Sequence, residues 1–116
     1  MSVTIYGIKN CDTMKKAFTW LNDRGVTYRF HDYRVEGIDE PSVKAWIKAL
    51  GWEKVLNKAS TTFKDLPADD KADLDEDKAA RLMVANPTMI KRPMLVTDKT
   101  TTAGFKPDLY SGIFQV

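Results

Sequence analysis

The chain of 116 residues carries one cysteine and one histidine, and these scarcities exclude a good deal. A single thiol cannot build an internal disulfide framework, and that cysteine usage fits a reducing compartment. A cytoplasmic protein is therefore expected. No cluster of His and Cys has zinc-ligand spacing, and the acidic stretch from Lys64 to Lys78 lacks the glycine and terminal glutamate of an oxygen-ligand calcium loop. No apolar run approaches the roughly 20 residues that a helix needs to cross a bilayer. The N-terminus lacks the layout of a secretory signal. A net charge of +2 supplies no bulk field for nucleic acid or a membrane surface. Repeats, low-complexity tracts and domain linkers are also missing, so no nucleic-acid, membrane or metal partner is expected.

What remains is ordinary in bulk: 43% hydrophobic and 29% charged residues, enough for one domain with a modest core. Val3-Thr4-Ile5-Tyr6 reads as a buried strand, broken by Gly7. From Asp12 to Arg24, Met14, Ala17, Phe18 and Leu21 form an apolar stripe at helical spacing, closed by Gly25. Val26 to His31 alternates as a half-buried strand does. Strand, helix and strand in succession make a βαβ unit with parallel strands. A helix-rich middle follows, with Val43, Trp46, Ile47 and Leu50 at helical spacing up to Gly51. A further helix runs from about Asp75 to Ala85 with Ala79, Leu82 and Met83 inward. Trp52 to Asn57 is read as a short, mostly helical continuation, and Lys64 to Lys78 as a solvated helix face and its capping loop. Pro93 to Thr97 and Thr100 to Phe105 read as an antiparallel hairpin, and Pro107 opens a last helix with Leu109, Tyr110, Ile113 and Phe114 inward. The order predicts an α/β fold with a mixed four-stranded sheet and flanking helices.

The chemistry points to Cys11. It stands after the tight loop Ile8-Lys9-Asn10, where a helix begins, with Asp12 read as the capping residue. Free N–H groups and the positive end of a helix dipole favour thiolate over thiol, and thiolate is the nucleophile. Lys9, Lys15 and Lys16 flank it. Asn10 is a candidate either to donate a hydrogen bond to the sulfur or to hold the turn. His31 is read as a polar residue on a strand face, and Trp20, Trp46 and Trp52 as packing residues.

Several separated motifs then agree in order. Tyr6-Gly7-Ile8-Lys9-Asn10-Cys11-Asp12-Thr13, Leu56-Asn57 with Ser60-Thr61-Thr62, and Lys91-Arg92-Pro93 resemble the landmarks of the ArsC family. That family takes in arsenate reductases, Spx regulators and YffB-like reductases. With FHDYRVEG and LGWEKVLN added, the sequence is most similar to the YffB-like branch, which is thought to comprise glutathione-dependent thiol reductases. The resemblance implies a single domain over 1–116, with a thioredoxin-like core at about 1–33 and 88–116 and an all-helical insertion at about 34–87. It also implies that Cys11 is the nucleophile and that Pro93 is a cis proline beside it, leaving backbone free to pair with a peptide-like thiol. Arg92 then holds a cation near the sulfur and offers a fork for a carboxylate. Lys9, Asn10, Arg92 and Pro93 are the implied substrate-binding set.

Two departures separate the branches. Arsenate reductases of this family hold the oxyanion with three arginines, and here Ala59 and Phe105 stand at two of those positions. Spx regulators typically carry Cys-x-x-Cys, whereas the fourth position here is Met14. The resulting expectation is a monomeric monothiol reductase with no bound cofactor and glutathione as co-substrate. Its rivals are an arsenate reductase with an altered oxyanion site and a non-enzymatic, Spx-like regulator that binds a protein partner.

Overall fold

The computed structural model describes residues 2–115, and these divide into two compact units. One takes the chain up to Asp32 and again from Arg92 onward; the other is Tyr33–Lys91.

The first unit is built on a four-stranded sheet. Strand β1 (Val3–Gly7) leads through a short loop to helix α1 (Asp12–Asp23), and the chain returns in β2 (Arg29–Asp32). The pairing of β1 with β2 is parallel, from Thr4 opposite Arg29 to Gly7 opposite Asp32. Such a pair needs a crossover, and α1 supplies it. The predicted strand at 26–31 is shorter than expected and ends one residue later. Gly25 adopts a left-handed φ of 67°, and the Val26 N–H donates to the Leu21 carbonyl at 3.0 Å. Val26 is thus held by the helix exit and reaches the ladder too early to pair.

Met14, Ala17, Trp20 and Leu21 are the buried face of α1. They pack with Val3, Ile5, Leu95 and Tyr110 into one cluster, against which Phe18, Phe30 and Phe105 are partly buried. At about 25 cal/mol for each Å² of apolar surface removed from water, fully buried side chains such as Ile5 and Leu21 stabilise this unit most. Trp20 belongs to the stripe, which is therefore wider than the four positions read from spacing.

The second unit is helical. It comprises α2 (Tyr33–Glu36), α3 (Glu40–Leu50), α4 (Trp52–Val55), α5 (Thr61–Lys64), α6 (Ala68–Lys71), α7 (Glu76–Ala85) and a 3-10 turn at Pro87–Met89. Asp39 caps α3 by accepting from the Ser42 N–H at 2.9 Å, and Asp75 caps α7 by accepting from the Lys78 N–H at 2.8 Å. Gly51, at φ 91°, ends α3. The acidic stretch from Lys64 to Lys78 is broken, not one helix: it takes in the end of α5, the single turn α6 and the capped start of α7, with short loops between them. Its carbonyls are held by lysines: Lys71 Nζ donates to the Lys64 carbonyl at 3.0 Å, and Lys78 Nζ to those of Asp69 and Ala72. On α7 the buried residues are Ala79, Ala80 and Met83, with Leu82 only half-buried.

The chain re-enters the sheet as β3 (Met94–Thr97), turns, and runs back as β4 (Thr101–Ala103). Thr97 Oγ1 closes the turn by accepting from the N–H groups of Lys99 and Thr100 at 3.2 and 3.1 Å. Both β1–β3 and β3–β4 are antiparallel, giving the order β2-β1-β3-β4. The sheet is mixed and four-stranded, as predicted. Helix α8 (Pro107–Phe114) follows, with Tyr110 fully buried. Leu109, expected to face inward, is 37% exposed. It falls one position before Tyr110, on the side of α8 turned from the core.

Candidate active site

The strand registers bring the candidate residues to one end of the first unit's sheet. Tyr6 is opposite Met94 in β1–β3, and Gly7 is opposite Asp32 in β1–β2. The loop that leaves β1 after Gly7 and the Arg92-Pro93 pair that precedes β3 therefore lie at the same sheet end. Ala103, the last residue of β4, is opposite Met94, so Gly104 and Phe105 also emerge there. The Gly104 N–H donates to the Pro93 carbonyl at 2.9 Å and ties the two segments together.

Each candidate has a definite setting. Ile8 is buried and anchors the loop, whereas Lys9 and Asn10 are exposed. Cys11 is half-buried and packs against the core cluster. It is the N-cap of α1 itself: its backbone is extended (φ −137°, ψ 128°) and its carbonyl accepts the first helical bond from the Lys15 N–H at 3.0 Å. Asp12 is accordingly not the cap, as the sequence reading had it. The backbone turns helical one residue earlier than that reading required, and Asp12 becomes the first helical residue, where a carboxylate complements the dipole. Among the described residues no side chain caps the N-terminus of this helix, so the first-turn N–H groups lack the oxygen acceptor that Ser, Thr, Asp or Asn provides.

Pro93 is buried and the Arg92–Pro93 peptide bond is cis. Arg92 is half-buried, and its guanidinium makes no hydrogen bond or ion pair among the described residues. Five N–H donors in a planar fork are thus available to a ligand. Gly7 allows the close approach on which the turn depends. A Cβ there would meet Met14 Cε at 2.7 Å and come closer still to its sulfur.

The two positions where family arginines are expected carry no cation. Phe105 is an apolar packing residue: its ring meets the edge of Tyr110 at 4.7 Å. Ala59, in the second unit, donates its N–H to Asn57 Oδ1 at 3.1 Å and carries no charge. Lys58, beside it, lies over the Trp52 ring at 5.2 Å. His31 packs its ring against Tyr6 at 4.8 Å. Among the described residues no group of three or more His, Cys, Asp or Glu could hold a metal ion, and no helix is long and apolar enough to cross a membrane.

Comparison with known proteins agrees with this geometry. A solved structure described as YffB protein is 53% identical and superposes with a TM-score of 0.94, covering 96% of this chain and 97% of that one. The solution structure of an arsenate reductase (ArsC) related protein from Brucella melitensis is 51% identical, with a TM-score of 0.76 over 100% of this chain and 97% of that one. An uncharacterized protein of Haemophilus influenzae is 41% identical over 112 residues, 97% of this chain and 98% of its own. Global transcriptional regulators named Spx align more distantly, that of Listeria innocua at 25% identity over 91% of this chain and 82% of its own. The mixed sheet with flanking helices is the thioredoxin-like fold of these ArsC-related structures. The ArsC family model matches residues 6–113, almost the whole chain, and the chain belongs to the ArsC family.

Proposed function

We propose that this chain is a monothiol reductase with Cys11 as nucleophile and glutathione as reductant. One observation carries the reading. The chain's one cysteine forms the N-cap of a 12-residue helix whose N-terminus no side chain caps among the described residues, at the sheet end where the uncommitted Arg92 fork also lies. A nucleophile at the same sheet end as a ligand-ready cation, with no second cysteine in the chain, calls for an external thiol to complete any redox cycle.

The cycle balances as follows. The Cys11 thiolate attacks the glutathione sulfur of a mixed disulfide. A bond forms between Cys11 and glutathione as the original S–S bond breaks, and the substrate leaves as a thiolate that takes up a proton. A second glutathione, as thiolate, attacks the Cys11 adduct, releases oxidised glutathione and restores the Cys11 thiolate. Over the cycle, the mixed disulfide and one incoming glutathione become the free substrate thiol and oxidised glutathione: the substrate sulfur is reduced as the incoming glutathione sulfur is oxidised, and the transferred glutathione stays in a disulfide throughout. In this mechanism Arg92 holds a glutathione carboxylate through charge-assisted hydrogen bonds. Lys9 and Asn10 line the approach to the sulfur, and Pro93 forms a wall for the tripeptide backbone. The protein works as a cytoplasmic monomer and holds no cofactor of its own.

The arsenate reductase alternative is less well supported by the local chemistry. With Phe105 packed on Tyr110 and Ala59 uncharged, Arg92 is the only one of the three arginine positions still occupied by arginine. Lys58 could lend charge but not a bidentate fork, and it is engaged with Trp52. A Spx-like regulatory role finds no local switch, because Met14 stands where a second cysteine would close one. The deciding assay supplies a glutathione mixed disulfide and, separately, arsenate, each with excess glutathione. Oxidation of glutathione that depends on Cys11 is expected with the first only; the reverse preference would overturn the reading.

A further inference from the structure

Beyond Cys11, α1 forms one wall of a groove of about 440 Å³ lined by Lys15, Lys16, Thr19, Trp20, Asp23, Arg24, Phe105 and Pro107. Three of these side chains are cations and one is a carboxylate. The Arg24 guanidinium lies over the Trp20 ring at 4.2 Å and donates to the Trp20 carbonyl at 3.4 Å. Among the described residues Lys15 and Lys16 make no ion pair. Both sit near the N-terminus of α1, where the helix dipole disfavours positive charge. Such a local conflict, with no ion-pair partner among the described residues, is the kind that functional surfaces retain.

We propose that this groove docks an extended, acidic peptide segment of the protein that carries the oxidised cysteine, so that the substrates are protein mixed disulfides. This deepens the reductase reading and rests on it. Charge complementarity argues for the acidic sequence: the lining carries a net charge of two positive, three cations less one carboxylate. The apolar side chains of Phe105 and Pro107 in the lining would accept intervening apolar side chains. Length argues for a protein over glutathione itself. From Lys15 to Arg24 the groove follows α1 for about 13 Å, and it begins about one turn beyond Cys11. An extended chain advances at most about 3.6 Å per residue. The single residue on either side of glutathione's cysteine therefore cannot follow the groove, whereas a segment of four or more residues can. In the exchange step Cys11 takes the glutathione while the docked protein leaves as the thiol.

The test uses the full chain and two labelled peptides of equal length, one with acidic and one with basic residues flanking a glutathionylated cysteine. Binding is read by fluorescence anisotropy with reduced forms of the peptides, and turnover with the mixed disulfides. The acidic peptide is expected to bind at least about tenfold more tightly and to show a similarly higher kcat/KM. Its advantage should shrink as salt rises. The double variant Lys16→Glu with Arg24→Glu is expected to reverse the order of the two peptides. Equal binding of both peptides by the unaltered chain would overturn the proposal, whatever the variant does. Selective binding of the acidic peptide without turnover of any mixed disulfide would support the groove and overturn the reductase reading. Turnover of a small mixed disulfide without peptide preference would do the opposite.

Discussion

At the scale of single residues, the site depends on small things placed tightly. Gly7 lets the Met14 side chain fill the space beneath the turn to Cys11, and Met14 is completely buried. Replacing Gly7 by Ala forces that packing apart, so a stability loss of about 1–3 kcal/mol is expected in chemical denaturation. An unchanged midpoint would mean that Met14 yields freely. Arg92 is argued to grip a carboxylate, and hydrogen bonds to charged groups contribute about 1.5–3 kcal/mol. Arg92→Ala should therefore lower kcat/KM for a glutathione mixed disulfide by about ten- to a hundredfold. Arg92→Lys should recover only part of it, because the fork is lost. Full activity in either variant would remove Arg92 from the mechanism. Tyr110 presents the opposite case, a buried hydroxyl with no hydrogen bond among the described residues. Burial pushes its ionisation well above that of a free tyrosine. Below pH about 10 the phenol is neutral in both folded and unfolded chains and contributes no pH dependence. Above that, the unfolded chain releases the proton while the folded one keeps it, so stability falls as pH rises. Tyr110→Phe is expected to flatten this alkaline loss and to leave stability at neutral pH equal or higher by about 1 kcal/mol. A clear loss at neutral pH would show that the hydroxyl has a partner.

At the scale of elements, the legible parts were those whose signal is local. Helix α1 announced itself by its apolar spacing and Gly25, and α3 by Val43, Trp46, Ile47 and Leu50 at helical spacing up to Gly51. The Asp39 cap is specific enough to test: Asp39→Ala should cost about 1 kcal/mol of stability, seen as a lower denaturation midpoint, and no change would place the cap's role elsewhere. Less legible were features decided by partners distant in sequence. The limits of β2 depend on where β1 offers a pairing edge, and Val26 is claimed by the helix exit. The turn Tyr33–Glu36 is a single helical turn, too short for a periodic pattern to register. In the acidic stretch, composition suggested a solvated helix face and its capping loop; the helical part is divided between α6 and the start of α7, and Lys71 and Lys78 hold carbonyls of the segments between. On α8, spacing alone could not tell Leu109 from Tyr110, since both fall near the apolar side. The cap of α1 was misplaced by one residue because Asp is the commoner N-cap and Cys a rare one. That Cys11 occupies the cap position is a feature of the site that propensity argues against.

At the scale of the whole molecule, the fold was read more fully than the groove. A strand, helix and strand before a hairpin and helix dictate the mixed sheet, and the registers then bring Cys11, Arg92 and Pro93 to one sheet end. The groove needed tertiary structure, because Phe105 and Pro107 reach α1 only through the path of β3 and β4. Its sequence trace was two lysines early in a helix that gains nothing from them. The central claim concerns the whole cycle: one sulfur accepts glutathione from a mixed disulfide and is cleared by another glutathione. Intact-mass measurement tests it most directly. Reduced protein is mixed with a glutathione mixed disulfide, sampled, and then given excess glutathione. The account predicts one glutathione adduct, absent in Cys11→Ser, that disappears on adding glutathione as oxidised glutathione accumulates. No adduct on Cys11, or an adduct that glutathione cannot remove, would contradict it.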